Sequence, residues 1–367
     1  MKPTIIINKN VVNTNLHLKK AQKQEKRANG KGSRKPLKNY LGKVVSLVSS
    51  EPVVHEESRI SSFVADISKK ELLAAIESAE LTGMSGNGFY TYIKIKSFLS
   101  ANSPNKILLI NAVECDPALL HDEWLLSNRY VEIAQAVNRL TQALSFEKVV
   151  LATKNRDVKP NGEFSVAIVP PRYPMGEERF LIRQVLGIHL ENTEIPTEHG
   201  IFVLNVQSIY QIGKIINQCY DGGRFITIAD LATASAKIAY VYPTDKIANL
   251  MIANFGDKNK ENLYKGFGAM ACTKATETDS FSNYETFAAY ANPPILDNKN
   301  RCRRCGRCKR KCPMNIDIAK IVQFADKNKG LNYAIYNPER CIQCGCCTYF
   351  CPALKNVSEY VEKISDK

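Results

Sequence analysis

The sequence lacks the features that mark a membrane-embedded or secreted protein. No segment approaches the roughly 18 consecutive apolar residues that a membrane-spanning helix needs. The first residues, MKPTIIINKNVV, place one lysine before a short apolar stretch that asparagine interrupts, and no small-residue cleavage site follows, so a signal peptide is not predicted. We therefore expect a cytoplasmic protein without a membrane span of its own, which reaches a membrane only through partner subunits or is enclosed in a microcompartment.

Acidic residues are scarce relative to basic ones. The chain has 36 Asp and Glu against 50 Lys and Arg, which gives a formal net charge of +14. Charged residues make up 23% and hydrophobic residues 44%, the balance of a globular protein with a basic surface. An acidic partner is therefore expected. Nucleic acid is not, because the basic residues are not interleaved with aromatic ones and no binding motif accompanies them.

The basic excess is partly concentrated in residues 17–43, which are rich in Lys, Arg, Gly and Asn and poor in apolar residues. Such a composition is typical of a solvated, flexible tail. A short helix that docks the protein on a partner or a shell is the second interpretation of this segment.

Downstream of the tail, the hydrophobic periodicity predicts a small β-module followed by an α/β domain. Around Pro52, two short stretches alternate apolar and polar residues, as short strands do. From Lys70 the apolar spacing becomes helical, and compact runs rich in Ile, Leu and Val then alternate with helical segments. One long amphipathic helix is predicted over 124–144, and further helices after the third and fourth strands. The predicted strands are 106–114, 148–154, 164–170 and 200–206.

The part of the chain that follows is patterned less clearly. Residues 224–243 predict a small β-rich insert, and the stretch to about residue 298 shows no clear period. A length of 367 residues suits two or three domains of roughly 100–200 residues. The expected boundaries are 1–44 for the basic tail, 45–69 for a degenerate β-module, 70–222 for the α/β domain, 223–297 for the insert and linker, and 298–367 for a metal-binding domain.

Cysteine forms two copies of the pattern C-x2-C-x2-C-x3-C-P near the C-terminus. The chain has 12 cysteines, and eight of them make up these copies. In bacterial two-cluster ferredoxins, three thiolates of each run bind one [4Fe–4S] cluster and the fourth binds the other cluster. Zinc and disulfides are the alternatives, and two interlocked runs with a proline after each argue against both. The first predicted ligand set is Cys302, Cys305, Cys308 and Cys351, and the second is Cys341, Cys344, Cys347 and Cys312.

Two further features lie within the cysteine runs. Cys346 is surplus to the pattern, and we expect it to be a buried small residue and not a ligand. Basic residues in the first run would raise the reduction potential of a neighbouring cluster, form a docking face for an acidic partner, or be merely solvated. They are Arg301, Arg303, Arg304, Arg307, Lys309, Arg310 and Lys311. The cysteine pattern predicts a protein that transfers electrons.

A second group of motifs lies in the α/β region. Segment 83–89, GMSGNGF, follows the first predicted helix, and its glycines let backbone N–H groups approach a phosphate or a flat ring. Three of the predicted strands lead into polar motifs, and ligands of open α/β sheets bind at the carboxyl ends of the strands. One shared site is therefore predicted. The motifs are NAVECDP (111–117), YPMGEE (173–178) and NVQS (205–208).

The order of these motifs and cysteine runs resembles that of the RnfC family, the C subunits of the Rnf electron-transport complex and their relatives, which include the cobalamin reductases of bacterial microcompartments. It is more distantly similar to the NADH-binding flavoprotein of respiratory complex I. The resemblance covers roughly residues 45–355. It implies an α/β Rossmann-like FMN/NADH domain, small β-modules of barrel-sandwich and β-grasp-like type, and a C-terminal α+β bacterial two-[4Fe–4S] ferredoxin domain.

The resemblance also implies a set of cofactors and a redox partner. NADH would donate a hydride to FMN, and electrons would pass to two [4Fe–4S] clusters and then to an acidic redox protein, a member of a membrane complex or a corrinoid. No side chain is predicted to be catalytic in its own right. The flavin or nicotinamide contacts that the resemblance implies are Gly83, Gly86, Gly88, Phe89, Lys94, Asn111, Glu114, Tyr173, Gly176, Glu177, Glu178 and Asn205.

The glycine loop departs from the pattern of the family at three positions. The family has a denser glycine loop that ends in A-G-F-P, whereas this chain has Ser85, Asn87 and Tyr90. Side chains there narrow the gap through which a phosphate or a ring must fit. A non-catalytic electron carrier or scaffold that lacks flavin is therefore the second interpretation. The third is a microcompartment cobalamin reductase with a corrinoid acceptor.

Overall fold

A computed structural model describes residues 48–49, 60, 66–86, 88–160, 162–191, 194–257, 262–325 and 336–365. The predicted basic tail over 1–44 lies outside these residues. Most of the predicted β-module at 45–69 also lies outside them. Strand β1 (Val48–Ser49) belongs to that segment and pairs in parallel with Ser235 and Ala236.

The α/β domain that the periodicity predicts is present. Its parallel four-stranded sheet has the order β4–β3–β2–β5, with strands β2 (Ile107–Ala112), β3 (Lys148–Thr153), β4 (Ser165–Ile168) and β5 (Ile201–Asn205). Its helices are α1 (Lys69–Ser78), α2 (Thr91–Ser100), α3 (His121–Asn128), α4 (Tyr130–Leu144), α5 (Glu178–Leu186) and α6 (Val206–Ile216).

Strand β2 shows why an unbroken apolar run predicts a central parallel strand. All six of its residues are buried. Leu108 and Ile110 belong to the larger core, whereas Leu109 belongs to the core on the other face of the sheet, together with Leu181 and Ile182 of α5. A strand covered on both faces needs apolar residues at every position. The polar residues that follow the strand therefore lie at the edge of the sheet, at the carboxyl end of β2.

The prediction of one continuous helix over 124–144 is wrong, because the structure has two helices there. Arg129 lies between α3 and α4 with φ −131° and ψ 27°, outside the helical region. This residue is 9% exposed, and its guanidinium lies 5.4 Å from the centroid of the Trp124 ring, which keeps both side chains packed at the break. Apolar spacing continues across Arg129, so periodicity alone does not reveal the change of direction.

The insert forms a mixed six-stranded sheet of order β1–β7–β6–β10–β8–β9. Strand β6 pairs antiparallel with β7 and parallel with β10. The helix that follows β7 in the chain packs its apolar side chains on the sheet, which is a β-grasp-like arrangement. Most of these elements fall in the stretch without a clear period. They are β6 (Arg224–Asp230), β7 (Ser235–Val241), α7 (Ile247–Phe255), β8 (Leu263–Gly266), β9 (Cys272–Lys274) and β10 (Phe287–Tyr290).

The C-terminal domain repeats one short unit. Each cysteine run contains a single helical turn, α8 (Arg307–Arg310) or α10 (Cys346–Tyr349), and the longer helices α9 (Ile318–Ala325) and α11 (Val357–Ser365) enclose a small apolar core. None of the helices found in the described ranges combines the length and apolar character that crossing a membrane requires.

Candidate cofactor sites

Cysteines from both runs come together around one surface cavity. Cys302, Cys305 and Cys308 of the first run line it, and Cys351 of the second run lines it with them. The Cys305 side chain is exposed, so this cavity opens to solvent. The fold thus brings together the four residues of the first predicted ligand set, including the residue from the other run.

The other predicted ligand set is more deeply buried. Cys344 and Cys347 are 8% and 7% exposed, and Cys312 is close enough to raise the pKa of both Cys341 and Cys347. Burial is the main reason why the pKa of Cys341 rises to about 11 and that of Cys347 rises well above its usual range. Such thiols ionise only where a cation compensates for lost solvation, and the irons of a cluster would supply that charge.

Both cysteine runs have the same local backbone conformation. Arg304 and Gln343, each two residues after the first cysteine of a run, have φ of 52° and 53°. In both runs the N–H of that residue donates to the sulfur of the first cysteine, Cys302 or Cys341, over 3.4 Å. Hydrogen bonds to sulfur tune the reduction potential of a cluster, and outer contacts orient its ligands. The donor set and these contacts fit two [4Fe–4S] clusters.

Positive charge is concentrated beside the first ligand set. Arg303, Arg304 and Arg307 are exposed and line the same cavity as its cysteines. Lys309, in contrast, forms an ion pair with Asp317 at 2.7 Å. Within the described ranges no acidic side chain pairs with the three arginines. We call Arg303, Arg304 and Arg307 the basic face.

The second ligand set lies at the junction with the other domains. Tyr173 Oη donates a hydrogen bond to the backbone oxygen of Cys344 over 2.7 Å. The same tyrosine packs in an apolar cluster with Met270 of the insert and Tyr349 of the second run. The second run is therefore connected to the α/β domain, whereas the first ligand set opens to solvent beside the basic face.

The glycine loop between α1 and α2 is closed by its own backbone. Gly83 N–H donates to Phe89 O over 2.8 Å, and Met84 N–H donates to Ser208 Oγ of α6 over 3.0 Å. The second contact joins the loop to the NVQS motif, as expected for motifs that share one end of a sheet. Asn87 lies outside the described residues.

Aromatic side chains of the insert lie against this loop. Gly86 and Gly88 have φ of 91° and 61°, a conformation that glycine adopts without strain. A Cβ at Gly86 would lie 2.6 Å from the Phe267 ring, and a Cβ at Gly88 would lie 2.6 Å from the Tyr284 ring. Glycine is therefore needed at both positions to let the insert pack against the loop.

The loops after β2 and before α5 are joined directly. Asn111 Nδ2 donates to Gly176 O over 3.0 Å, and Asn111 Oδ1 accepts from Val113 N over 2.9 Å. A Cβ at Gly176 would lie 2.4 Å from Val113 O and 2.7 Å from Glu114 O. Backbone contact thus requires glycine at 176, and Asn111 holds the two loops at that spacing.

The two glutamates of the YPMGEE motif have different partners. Glu177 caps α5, since its Oε2 accepts from the N–H groups of Arg179 and Phe180 over 3.0 Å. Glu178 forms an ion pair with Lys94 of α2 at 2.9 Å, and the two side chains are 29% and 22% exposed. A partly buried ammonium group therefore lies near the N-terminus of α5, where an anion is favoured.

A buried polar group extends from the end of β2 to the end of β5. Glu114 Oε1 accepts from the N–H groups of Asp122 and Glu123 at the start of α3, over 2.9 and 3.3 Å. Asp122 Oδ2 accepts from Asn205 Nδ2 over 2.7 Å. The remaining oxygens, Glu114 Oε2 and Asp122 Oδ1, are buried without a hydrogen-bond partner among the described residues.

Burial changes the ionisation of this group. Burial, and secondly the charge of Asp122, raises the pKa of Glu114 well above its usual range. Burial raises the pKa of Asp122 to about 7 and lowers the pKa of His121 to about 3. The imidazole of His121 is therefore neutral near pH 7, and the two carboxylates are unstable as uncompensated anions.

Asp116 and Asp122 were not among the site residues predicted from the sequence. Asp116 Oδ1 accepts from Ala269 N over 3.0 Å and its Oδ2 from Met270 N over 2.8 Å, so it fixes the insert to the end of β2. Asp116 stands in the NAVECDP motif, and Asp122 follows it closely. The signal in the sequence was their position in an acidic segment that follows a buried strand. That signal did not identify them, because the partners of both residues are remote in sequence.

The α/β domain has groups that fit a flavin nucleotide. Among the described residues, a Cβ at Gly83 would meet Phe89 O at 3.7 Å, an ordinary contact distance, so packing does not require glycine there. Lys94 offers a cation for a phosphate, and Glu114 Oε2 offers an unused acceptor for a hydroxyl or N–H group. These groups lie at the carboxyl ends of the strands, where open α/β sheets bind ligands.

Two protein families match separate parts of the chain. Residues 76–214 match the Nuo51 FMN-binding domain, and residues 301–354 match the 4Fe-4S dicluster domain.

Curated relatives are named as the C subunit of the ion-translocating oxidoreductase complex. The chain is 27% identical over 337 residues to the relative of Haemophilus influenzae, which covers 83% of this chain and 40% of the relative. It is 26% identical over 268 residues to that of Vibrio cholerae, which covers 68% of this chain and 34% of the relative. The chain thus spans well under half the length of these two relatives.

The fold also has a counterpart among solved structures. A chain of the NAD+-reducing [NiFe]-hydrogenase in the air-oxidized state superposes with a TM-score of 0.52 at 15% identity, covering 76% of this chain and 58% of that chain. At this identity the likeness concerns the fold.

The fold and the sites define an iron–sulfur flavoprotein of the electron-transfer class, in which an FMN-binding α/β domain is joined to a domain for two [4Fe–4S] clusters. The resemblance that the motifs predicted is confirmed, because the chain is similar to curated C subunits of the ion-translocating oxidoreductase complex and matches both domain families.

The substitution Gly83→Ala distinguishes an effect on stability from an effect on FMN affinity. Stability should change by less than about 0.5 kcal/mol, because the added methyl group meets its nearest atom at ordinary contact distance. The affinity for FMN should fall by at least about tenfold if the flavin occupies the space beside Gly83. Thermal melting and a fluorescence titration with FMN measure the two effects. An unchanged FMN affinity would remove Gly83 from the flavin site.

Proposed function

We propose that this chain oxidises NADH at its FMN-binding domain and delivers the electrons one at a time, through two [4Fe–4S] clusters, to a protein partner. The hydrogen bond from Tyr173 to the Cys344 backbone carries the proposal, because it connects the flavin-type domain directly to a loop of cluster cysteines. Bound FMN would supply the conversion between two-electron nicotinamide chemistry and the one-electron chemistry of a cluster.

The residues proposed to hold FMN and nicotinamide are those that the motifs indicate. Backbone N–H groups of the glycine loop and the Lys94 ammonium group would bind phosphate, and the polar ends of β2 and β5 would orient hydroxyl and ring groups. Tyr173 would position the YPMGEE loop against the second cysteine run. The proposed set is Gly83, Gly86, Gly88, Phe89, Lys94, Asn111, Glu114, Tyr173, Gly176, Glu177, Glu178 and Asn205.

Crossed ligation is part of the proposal. Cys351 would complete the site of the first run, as its place in the shared cavity supports, and Cys312 would complete the site of the second run. Close spacing of two clusters within one small domain favours electron transfer between them. The second ligand set would then face the flavin domain, and the first would face the partner.

The basic face is proposed as the docking surface for an acidic redox protein. Three arginines without an acidic partner in the described ranges, beside an open ligand set, would attract an acidic protein and bring its redox centre close. The name of the curated relatives supports a place among the subunits of a membrane complex, which the chain would join from outside the bilayer. A corrinoid acceptor in a microcompartment and a cytoplasmic location stay predictions.

Cofactor analysis of the native protein tests this function. We expect about eight irons per chain from two clusters, with one FMN released on denaturation. The flavin-free carrier is the alternative, and the Phe267 and Tyr284 rings beside Gly86 and Gly88 favour it, because they fill space at the glycine loop. Protein that retains its iron but neither contains nor binds FMN would establish that alternative.

A further inference from the structure

Three metal-binding side chains meet in the interior at the end of β2. Glu114, His121 and Asp122 each offer a ligand atom, and these atoms lie within 4.8 Å of one another. The three residues are 6%, 2% and 3% exposed. Two carboxyl groups buried at such a spacing need either a proton or a compensating cation, and the imidazole beside them makes a metal ion a chemically suitable cation.

Each of the three side chains is held by an outer partner at one of its two ligand atoms. Backbone N–H groups hold Glu114 Oε1, and Asn205 Nδ2 holds Asp122 Oδ2 over 2.7 Å. His121 Nδ1 lies 3.1 Å from Thr227 Oγ1 of β6. Outer hydrogen bonds of this kind orient the ligands of metal sites and set the tautomer of a ligating histidine.

The other atom of each side chain remains available. Glu114 Oε2 and Asp122 Oδ1 have no hydrogen-bond partner among the described residues. His121 Nε2 lies 3.8 Å from Asp122 Oδ1, which is too long for a hydrogen bond but suits two ligands of one ion. In the tautomer whose Nδ1–H donates to Thr227 Oγ1, Nε2 has a free lone pair and lies 3.8 Å from Asp122 Oδ1.

Among the described residues, no lysine or arginine contacts the two carboxylates. In the ranges that the structure describes, neither Glu114 nor Asp122 forms an ion pair with lysine or arginine. Lys154 acts on both only at longer range, and the charge near His121 is Arg224, which binds backbone oxygens of the insert. Within those ranges the site therefore has two acidic ligands and one imidazole, and no internal cation that touches them.

We propose that Glu114, His121 and Asp122 bind one divalent metal ion, and that the ion is Zn²⁺. Zinc binds both imidazole nitrogen and carboxylate oxygen, and a site with three protein ligands leaves a fourth position open; the imidazole argues against Mg²⁺ and Ca²⁺, which prefer oxygen ligands alone. The ion would neutralise the buried carboxylates and tie the end of β2 to α3. Through Thr227 it would also support the contact with the insert.

This inference goes beyond the proposed function and reassigns one of its residues. Glu114, a proposed flavin contact, becomes the ligand of an ion beside the flavin region. Zinc content does not depend on whether FMN or NADH binds, so the two proposals fail separately. Protein that contains zinc but binds no FMN would count against the proposed function. Protein that binds FMN but contains no zinc would count against the metal site.

Metal analysis of the cluster-loaded protein tests the site. Protein purified anaerobically from cells supplied with zinc should contain about one zinc per chain in addition to its iron. Asp122→Asn and His121→Gln should reduce zinc to near zero and leave iron unchanged. The matched control is His199→Gln, which alters a partly exposed His–Glu pair of 3.0 Å and should keep zinc.

A second measurement covers variants that fold poorly. Removing zinc from the wild-type protein with a chelator should lower its melting temperature, and ZnCl2 should restore it, whereas ZnCl2 should have no effect on Asp122→Asn. Wild-type protein without zinc and without a response to ZnCl2 would overturn the proposal. Zinc that survives Asp122→Asn but disappears with a cysteine variant would also overturn it. A carboxylic-acid infrared band that Asp122→Asn removes, in metal-free protein, would identify a shared proton instead.

Discussion

Replacing Cys312 by alanine is expected to remove the cluster of the second cysteine run, although Cys312 belongs to the first run. Its sulfur lies near Cys341 and Cys347, and Ile316 N–H donates to it over 3.4 Å. Loss of one of four thiolates leaves an iron of the cubane without its protein ligand. Iron should fall from about eight to about four per chain, measured by iron analysis and by EPR of the reduced protein.

One control variant and two double variants make this result specific to crossed ligation. Cys346→Ala, at the buried surplus cysteine, should keep all of the iron. Adding Cys312→Ala to Cys341→Ala should cause no further loss, because both residues would serve one cluster. Adding it to Cys302→Ala should remove nearly all iron. The opposite pattern of the two double variants would show that each run binds its cluster alone.

Reversing the charge of the basic face is expected to slow electron transfer to an acidic acceptor. The triple variant Arg303→Glu, Arg304→Glu and Arg307→Glu places like charges where the partner docks, and electrostatic steering contributes about 10–10³ to association rates at low ionic strength. The rate from dithionite-reduced protein to an acidic [2Fe–2S] ferredoxin should fall by a factor in this range. The difference should shrink as salt is added, because counterions screen the charges.

A matched charge reversal on the α/β domain controls for net charge. Lys69, Lys70 and Lys148 are exposed on the α/β domain, and replacing all three by glutamate changes the total charge by the same amount. This control should keep most of the rate, with unchanged iron content in both variants. Equal losses in the two triple variants would mean that net charge and not the basic face governs docking.

The loop structure of the cysteine region could be predicted from its sequence, because the spacing of the ligands determines the loop geometry locally. A run of cysteines at x2 and x3 spacing forms the same tight loop twice, with positive φ at Arg304 and Gln343 and N–H groups directed at sulfur. Strand positions followed for a similar reason. Central parallel strands are buried on both faces, so each is a continuous apolar run such as Ile107–Ala112.

The remaining site contacts join residues far apart in the chain, and local patterns carry no information about them. Asp116 meets Ala269 across 153 residues, and the rings of Phe267 and Tyr284 meet glycines of the loop after α1. The break at Arg129 was not predicted, because arginine has no intrinsic preference for ending a helix. Here the break contains a buried arginine that packs on Trp124. Asp122 escaped because its role depends on Glu114 and Asn205, which only the sheet brings together.

Anaerobic reduction by NADH tests the central claim most directly. Wild-type protein that holds its two clusters and FMN is mixed with NADH, and absorbance and EPR spectra record the clusters. NADH should bleach the cluster absorbance and produce the EPR signal of reduced clusters, and removing FMN should abolish both changes. Clusters that dithionite reduces but NADH does not, in protein with FMN bound, would contradict it.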